Sequence, residues 1–337
     1  MAGTTAPVSE GPTQPGFAAA PVRSQDFAPA RADAAADIEA CKAILAEGSK
    51  SFSAASLILP SRLRAPAAVF YAFCRIADDL VDFADDPRRA VEELGQRLDR
   101  IYAGQPEDDP VDRAFARVVE EHALPRAVVD GLIEGFEWDA DERSYETLPE
   151  LLGYCARVAS VVGVVMTMMM GPHDARTLAR ACDLGAAMQL TNICRDVVED
   201  AGRGRLYLPA AWLRERGLDP EHFVAHIGDY AGDPRVAELI EAVLCEADNY
   251  YRRADAGIPM LPWDSRPAIR AASLIYADIG RMIRVQGCDP TRGRAHTSKG
   301  RKLWLLLRAW IRRTPSSRPQ DADAPIIDAC RFLLEGW

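Results

Sequence analysis

Hydrophobic residues recur with helical spacing along most of the chain, from about Ala34 to Arg313. Alanine, leucine, arginine and glutamate, which favour helices, are abundant there, and no sustained alternation of β-branched and polar residues interrupts the pattern. The pattern therefore predicts an all-α domain over residues 34–313. Proline and glycine mark the expected breaks between helices, at Pro60 and Pro66, and at 104–106, 171–172, 202–209, 232–234 and 259–267.

The two ends of the chain differ from this helical stretch. Residues 1–33 are rich in Ala, Pro, Gly, Ser and Thr and lack periodic apolar positions, which predicts a flexible N-terminal arm. Residues 314–337 begin with a linker-like run and continue as a short amphipathic tail.

Two segments are unusually apolar. The run 158–170 is shorter than the ~20 apolar residues that span a bilayer, so it predicts a buried central helix. Its small residues Ala159, Ser160 and Gly163 fit either a long apolar ligand lying against the helix or tight packing on another helix. The segment 302–313 combines two tryptophans with basic residues. It predicts an amphipathic helix docked on the core, with contact to a membrane surface as the alternative.

Composition narrows the class of partner. The 337 residues are 48% hydrophobic and 27% charged, as in a soluble globular protein, and the formal net charge of -10 argues against nucleic acid as a partner. An anionic substrate therefore needs local arginines or bound cations. The eight cysteines show no C-x-x-C spacing and follow no signal peptide, which indicates reduced thiols and a cytoplasmic location.

The first segment with candidate chemistry is a helix that carries three aspartates. Helical geometry places Tyr71, Arg75, Asp78 and Asp82 on one stripe, and Asp79 lies beside them. Carboxylates so close on an otherwise apolar helix repel one another. A positive charge should therefore lie between them.

A second segment also places polar side chains on one helix face. They are Gln189, Asn192, Asp196 and Asp200, which recur at helical spacing. Two facing helices of this kind form an all-oxygen site, which selects Mg²⁺ or Mn²⁺ over Zn²⁺. Mg²⁺ held by few carboxylates usually shares its ligands with substrate phosphates. The sequence thus predicts a diphosphate substrate.

Basic side chains near both motifs would neutralise the remaining diphosphate charge. Arg75 and Arg195 lie inside the motifs, while Arg203 and Arg205 follow the second one. The segment 48–52 supplies hydroxyls and an amine, although on its own it fits a helix-start turn as well as a phosphate site.

These residues together resemble the phytoene/squalene synthases. The resemblance rests on Ser-Lys-Ser-Phe at 49–52, YAFCRIADDLVD at 71–82, YCARVASVVG at 154–163 and QLTNICRDVVEDAGRGRLYLP at 189–209. It covers roughly residues 40–285 and includes Tyr276 and Arg281. One departure is Gly48, where many members carry His, and we expect little effect on the chemistry.

The resemblance implies an isoprenoid-synthase-type helical bundle around a central apolar cavity, with Mg²⁺ at its mouth. It assigns residues to three roles. The implied metal ligands are Asp78, Asp79, Asp82, Asn192, Asp196 and Asp200. The implied diphosphate-binding residues are Ser49, Ser51, Phe52, Arg75, Gln189, Arg195, Arg203, Arg205 and Tyr207. The implied catalytic residues are Tyr71, Arg75, Tyr154, Arg195 and Tyr276.

The implied reaction is the head-to-head condensation of two geranylgeranyl diphosphates. It proceeds through a cyclopropylcarbinyl (prephytoene) diphosphate to phytoene and two diphosphates, in carotenoid biosynthesis, and needs no NADPH. Synthesis of dehydrosqualene or a squalene precursor from farnesyl diphosphate stays open, because sequence does not reveal cavity depth. A non-catalytic helical scaffold of the same fold is the alternative of another class, and the retained aspartates argue against it. Association with other carotenoid-pathway enzymes is a further expectation.

Overall fold

The computed structural model describes residues 34–48, 58–311 and 318–335. The predicted arm 1–33 and the predicted diphosphate-binding residues Ser49, Ser51 and Phe52 lie outside these ranges. Within them the structure is helical and contains no β-strand, which confirms the predicted all-α class.

Thirteen α-helices form in the described ranges. They are α1 (Ala34–Gly48), α2 (Ser61–Asp82), α3 (Pro87–Tyr102), α4 (Pro110–His122), α5 (Arg126–Ala140), α6 (Leu148–Cys155), α7 (Val161–Met170), α8 (Ala175–Gly202), α9 (Ala210–Glu215), α10 (Pro220–Ala225), α11 (Pro234–Gly257), α12 (Arg266–Val285) and α13 (Lys299–Ile311). Short 3₁₀ segments lie between and after these helices, at Ile227–Tyr230, Ile258–Met260, Pro290–Arg292, Pro319–Asp323 and Asp328–Leu334.

Most of the predicted breaks coincide with helix ends, but the break at Pro66 is wrong. Pro66 lies inside α2 and is buried. It lacks the N–H that would bond to the carbonyl of Arg62, yet it stands close to the start of the helix, where such a loss disturbs few other bonds. Burial of the proline ring in the core outweighs the missing hydrogen bond.

Helix α8 lies at the centre of the bundle and packs against α7, α11 and α12. Two glycines permit the closest approach. A Cβ on Gly163 would lie 2.6 Å from the carbonyl oxygen of Ala181, and one on Gly185 would lie 2.5 Å from that of Ala159. Ala159, in the turn before α7, and Gly163, in α7, therefore serve tight packing on α8, which confirms that alternative. Both also line the central cavity, and a long apolar ligand lying against them stays a prediction.

A π-helical turn at Ala156–Ser160 joins α6 and α7. The continuous run Leu148–Met170 has 23 residues and is long and apolar enough to cross a membrane. The predicted limits of 158–170 are therefore too short, because α6 extends the apolar run towards the N-terminus. Within the most apolar window, 67% of the run is buried in the protein, as in a core helix.

Residues 318–335 fold back onto the bundle instead of extending away from it. Arg180 of α8, only 2% exposed, donates to the carbonyl oxygen of Asp321 at 2.6 Å. Cys330 is buried, and Phe332 packs on α5 at a position where the helix carries a glycine. This tail therefore ties α8 to α5 behind the central cavity.

Candidate active site

The two aspartate motifs meet at one end of the bundle. Asp82 ends α2, and the two arginines that follow α8 reach it, with Arg203 Nη1 3.0 Å from Asp82 Oδ2 and Arg205 Nη1 3.0 Å from Asp82 Oδ1. The glycine between them, Gly204, has φ 74°, a backbone conformation that glycine adopts without strain. The turn after α8 thus brings its two cationic side chains over the end of α2.

On α2, Arg75 holds two of the three aspartates. Its guanidinium lies 3.3 Å from Asp78 and 2.6 Å from Asp79. Burial and the neighbouring carboxylate of Asp82 raise the pKa of Asp78 to about 6, even though Arg75 acts in the opposite direction. The motif therefore concentrates more negative charge than Arg75 neutralises.

On α8, Asp196 is held from two sides. Arg195 makes two contacts with it, at 2.7 and 2.5 Å, and Arg294 makes two more, at 2.9 and 3.1 Å. Burial and the charge of Asp196 raise the pKa of Asp200 to about 7. Like the Asp78 carboxyl on α2, the Asp200 carboxyl is therefore harder to ionise than an exposed aspartate.

Arg294 is a residue that the sequence interpretation missed. It precedes α13, 98 positions after Asp196 in the chain, so helical spacing could not relate the two. The available signal was the Arg-Gly-Arg at 292–294, which repeats the Arg-Gly-Arg at 203–205.

Asn192 and Gln189 stand one and two turns before Asp196 on α8. The amide nitrogen of Asn192 donates to Gln189 Oε1 at 3.3 Å. Its amide oxygen is buried and, among the described residues, has no hydrogen-bond partner. An unpaired buried acceptor is costly, so this oxygen marks a position at which a ligand with positive charge or a donor is favoured.

In the described part of the chain, no three His, Cys, Asp or Glu side chains converge closely enough to hold a metal ion. The carboxylates of Asp79, Asp82 and Asp196 are instead paired with arginines. The donor set at the mouth nevertheless consists of oxygen atoms, as Mg²⁺ and Mn²⁺ prefer.

An apolar cavity of about 330 Å³ extends inward from the motifs. Tyr71, Gln189, Asn192 and Tyr276 line its polar end. Helix α8 lines it from residue 177 to residue 192, a helix length of about 22 Å. The remaining wall is largely aliphatic and sulfur-containing, so the cavity suits a long hydrocarbon chain.

Tyr71 owes its position partly to Gly48. A Cβ on Gly48 would lie 2.6 Å from the Tyr71 hydroxyl and 3.4 Å from its ring. Any side chain at position 48 would displace this hydroxyl. Gly48 therefore leaves room for the hydroxyl of Tyr71, which lines the cavity. That the departure at Gly48 has little effect on the chemistry stays a prediction.

Tyr154 and Tyr207 lie apart from Tyr71 and Tyr276. Neither is among the described residues that line the apolar cavity. Their hydroxyls donate to the two oxygens of Asp139, from Tyr154 at 2.9 Å and from Tyr207 at 2.8 Å. Their rings stack with centroids 4.9 Å apart.

Asp139 is the second residue that the sequence interpretation missed, because nothing around it in α5 distinguishes it from a surface carboxylate. Burial raises its pKa, and the hydroxyls of Tyr207 and Tyr154 act against that shift. The charges of Arg205 and Asp82 also affect the pKa of Asp139. The trio of Asp139 and its two tyrosine partners therefore lies close to the mouth. Burial raises the pKa of both tyrosines, so they remain protonated donors.

Comparison with known proteins supplies a family context for this geometry. A profile of the squalene/phytoene synthases matches residues 45–301. The chain is 47% identical over 309 residues to the phytoene synthase of Rhodobacter capsulatus, covering 88% of this chain and 90% of that protein. It is 37% identical to the 15-cis-phytoene synthase of Pantoea ananas, covering 79% of this chain and 88% of that protein.

Among solved structures, a dehydrosqualene synthase in complex with a ligand superposes with a TM-score of 0.77 at 30% identity, covering 83% of this chain and 97% of that one. A squalene synthase from Alicyclobacillus acidocaldarius superposes with a TM-score of 0.70 at 26% identity, covering 77% and 97%. These structures share the helical fold described above.

Proposed function

The chain belongs to the squalene/phytoene synthase family, and we propose that it condenses two geranylgeranyl diphosphates head to head into phytoene, through prephytoene diphosphate, releasing two diphosphates. The observation that carries this proposal is the pair of aspartate motifs, joined by Arg203 and Arg205, at the polar end of a long apolar cavity. Identities of 47% and 48% to bacterial phytoene synthases favour geranylgeranyl diphosphate over a shorter substrate.

The arginines at the mouth bind the diphosphates. Arg75, Arg195, Arg203 and Arg205 are paired with aspartates, and these pairs keep the guanidinium groups at the place where two anionic head groups must enter. A planar guanidinium contacts two phosphate oxygens at once, so exchange from carboxylate to diphosphate conserves the hydrogen-bond geometry. Gln189, Tyr207 and the segment 49–52 are proposed as further diphosphate contacts.

The oxygen donors at the mouth fit a divalent cation, Mg²⁺ or Mn²⁺. Two observations support this. The buried amide oxygen of Asn192 has no partner among the described residues. Burial, and after it the neighbouring carboxylates, raise the pKa values of Asp78 and Asp200, so a bound cation would stabilise their ionised forms. The proposed ligands are Asp78, Asp79, Asp82, Asn192, Asp196 and Asp200. Bound there, Mg²⁺ would stabilise the negative charge that develops on the departing diphosphate.

The chain's own residues then protect and guide the cation left on the hydrocarbon. The apolar wall excludes water, which would otherwise trap the cation as an alcohol. The rings of Tyr71 and Tyr276 line the polar end of the cavity and can stabilise positive charge through their π faces. Burial raises the pKa of both, so their hydroxyls stay protonated.

Tyr154 has a supporting role in this scheme. Its hydroxyl is held by Asp139, which also accepts from Tyr207 in the segment that carries Arg205. The trio therefore fixes the segment after α8 relative to α5, close to the place where diphosphate leaves. The reaction ends with loss of a proton, and so requires no NADPH.

Location, partners and domain limits are proposed with the function. The catalytic domain is residues 34–313, preceded by the arm 1–33 and followed by residues 314–337. The protein is proposed to act in the cytoplasm, in peripheral contact with a membrane and in association with other carotenoid-pathway enzymes, because its product is insoluble in water.

The test is direct product analysis. Purified protein is incubated with Mg²⁺ and either geranylgeranyl or farnesyl diphosphate, without nicotinamide, and the extracted hydrocarbon is identified by mass spectrometry. A C40 hydrocarbon from the longer substrate supports the proposal, and Asp78→Ala and Asp196→Ala should each abolish it while leaving helicity unchanged. A C30 product from farnesyl diphosphate alone would assign the dehydrosqualene alternative. No product from either substrate would favour the non-catalytic scaffold.

A further inference from the structure

Helix α13 presents an apolar face to solvent. Five of its large hydrophobic side chains are between 47% and 69% exposed. They are Leu303, Trp304, Leu307, Trp310 and Ile311. Their spacing places them on one side of the helix, and most of the other large exposed hydrophobic side chains in the described residues are scattered singly.

The opposite side of α13 is firmly attached to the protein. Leu305 and Ala309 are buried against the bundle, 2% and 0% exposed. Near its start, Arg301 Nε lies 3.1 Å from Asp278 of α12, and near its end the carbonyl of Ala309 accepts from Arg270 of α12 at 3.4 Å. The helix therefore runs antiparallel to α12, and its apolar face is held outward by the fold.

The charge of this surface differs from that of the whole chain. Helix α13 contains four basic residues and no acidic residue, in a chain of net charge -10. The guanidinium groups of Arg301 and Arg308 lie 4.4 and 5.3 Å from the ring of Trp304. Cations next to tryptophan and leucine are the composition that favours the headgroup region of an anionic bilayer.

Trp263 is a further exposed aromatic side chain, on the segment that precedes α12. It is 81% exposed and precedes α12, and Arg62 holds the adjacent Asp264 at 3.0 Å. On either side of Trp263 the chain lines the cavity, through Leu261 before it and Ala268 after it. Because Arg270 contacts the end of α13, Trp263 and the Trp310 end of that helix lie at the same end of α12.

We propose that α13 and Trp263 form a docking surface for an anionic lipid bilayer, beside the start of α12, where the chain also lines the apolar cavity. Docking would place a hydrocarbon product next to lipid. This advantage rests on the proposed function, whereas the binding of lipid does not depend on it. A second copy of the chain is a poorer fit, because two such surfaces would bring the same basic residues together.

The experiment is vesicle flotation of the full chain without substrate. Vesicles of phosphatidylcholine with phosphatidylglycerol are compared with vesicles of phosphatidylcholine alone. We expect the protein to float with the anionic vesicles, and the double variant Leu307→Ser with Trp310→Ser to bind them at least about tenfold more weakly. Phe83→Ser removes a side chain that is 75% exposed elsewhere on the protein, and should bind as the unchanged chain does.

Three results would overturn the proposal. They are absence of flotation with anionic vesicles, equal flotation of the double variant, and equal binding to both vesicle types. Sedimentation without lipid should give the same mass for the unchanged chain and the doubly substituted chain. If the unchanged chain sediments as a dimer and the doubly substituted chain does not, the surface is assigned to a second copy. Activity on detergent-dispersed substrate is measured separately, so failure of the proposed function is distinguishable from failure to bind lipid.

Discussion

Arg203 and Asp82 are 121 positions apart in the chain, yet Arg203 Nη1 lies 3.0 Å from Asp82 Oδ2. The contact joins the segment after one aspartate helix to the end of the other. Arg203 is 57% exposed, so the pair contributes little to stability. The pair keeps a cation beside the carboxylates, where we propose that diphosphate enters.

Arg294 should prove important for substrate binding. Arg294→Gln removes two contacts to Asp196 and one cationic group from the mouth. We expect kcat/KM to fall roughly 10- to 100-fold, mainly through KM, in steady-state assays with geranylgeranyl diphosphate. Arg292→Gln is the matched control from the same loop, since Arg292 is 62% exposed and pairs with Asp289. Equal losses in both variants would contradict the assignment.

The aspartates at the mouth should make the metal-free protein less stable at neutral pH. The pKa values of Asp78 and Asp200, about 6 and about 7, exceed the ordinary value of 3.8. Between these values the folded state binds more protons than the unfolded state, so the free energy of unfolding falls as pH rises from about 4 to about 7. The double substitution Asp78→Asn with Asp200→Asn should flatten this dependence and raise stability at pH 7.5 by about 1 kcal/mol or more.

Urea denaturation in EDTA at several pH values measures this difference. Activity should be lost in the double variant, because the proposed ligands are gone. Adding Mg²⁺ should stabilise the unchanged protein and leave the variant unaffected. Identical pH profiles for the two proteins would refute the prediction.

Asp139 should affect turnover more than substrate binding. In Asp139→Asn the amide oxygen accepts a hydrogen bond from one tyrosine hydroxyl. The amide NH₂ group faces the other hydroxyl and cannot accept its hydrogen bond. We expect a loss of about 1–2 kcal/mol in the free energy of unfolding and a lower kcat with little change in KM. Asp141→Asn near the end of the same helix, where the carboxylate pairs with exposed Arg88, is the control and should change neither property by much.

Gly48 and Tyr71 should behave as a coupled pair. A methyl group at position 48 would displace the Tyr71 hydroxyl, so Gly48→Ala should lower kcat while the fold remains intact. In Tyr71→Phe the obstructing hydroxyl is absent, and adding Gly48→Ala should then have little further effect. A double-mutant cycle on kcat measures the coupling, and simple additivity would argue against it.

Gly185 tests the packing of the π-helical turn Ala156–Ser160 on α8. A methyl group there would lie 2.5 Å from the backbone oxygen of Ala159, so Gly185→Ala should destabilise the protein by about 1–3 kcal/mol. Gly95→Ala in α3, where the added methyl group would meet no atom within 4 Å beyond its chain neighbours and its own helix backbone, should stabilise it by up to about 1 kcal/mol. Thermal denaturation should show a lower midpoint for Gly185→Ala and a higher one for Gly95→Ala. An unchanged or higher midpoint for Gly185→Ala would disprove the packing argument.

The sequence predicted the features that depend on local periodicity. Helical spacing grouped Tyr71, Arg75, Asp78 and Asp82 on one face, and the structure places them there. The helical class and most helix ends followed from the same pattern. Pro66 misled the prediction because a rule about helix interiors cannot weigh burial of the proline ring against one lost hydrogen bond.

The features that the sequence did not reveal depend on contacts between distant segments. Arg294 meets Asp196 only because the chain returns from α12 to the mouth, and Asp139 is recognisable only once two tyrosines donate to it. Gly48 carries no side chain, so its effect on Tyr71 depends on a distance that periodicity cannot supply.

The tail at 318–335 has a consequence for how the protein is made. Arg180 emerges from the ribosome 141 positions before Asp321. In the folded protein the guanidinium of Arg180 donates a hydrogen bond to the backbone carbonyl of Asp321. Until then, this buried side chain has Asp183 as an ion-pair partner but lacks the carbonyl acceptors of the tail. The central helix therefore reaches its final surroundings only late in synthesis, and a nascent chain stalled before residue 318 would expose Arg180 and the neighbouring apolar surface to chaperones and proteases.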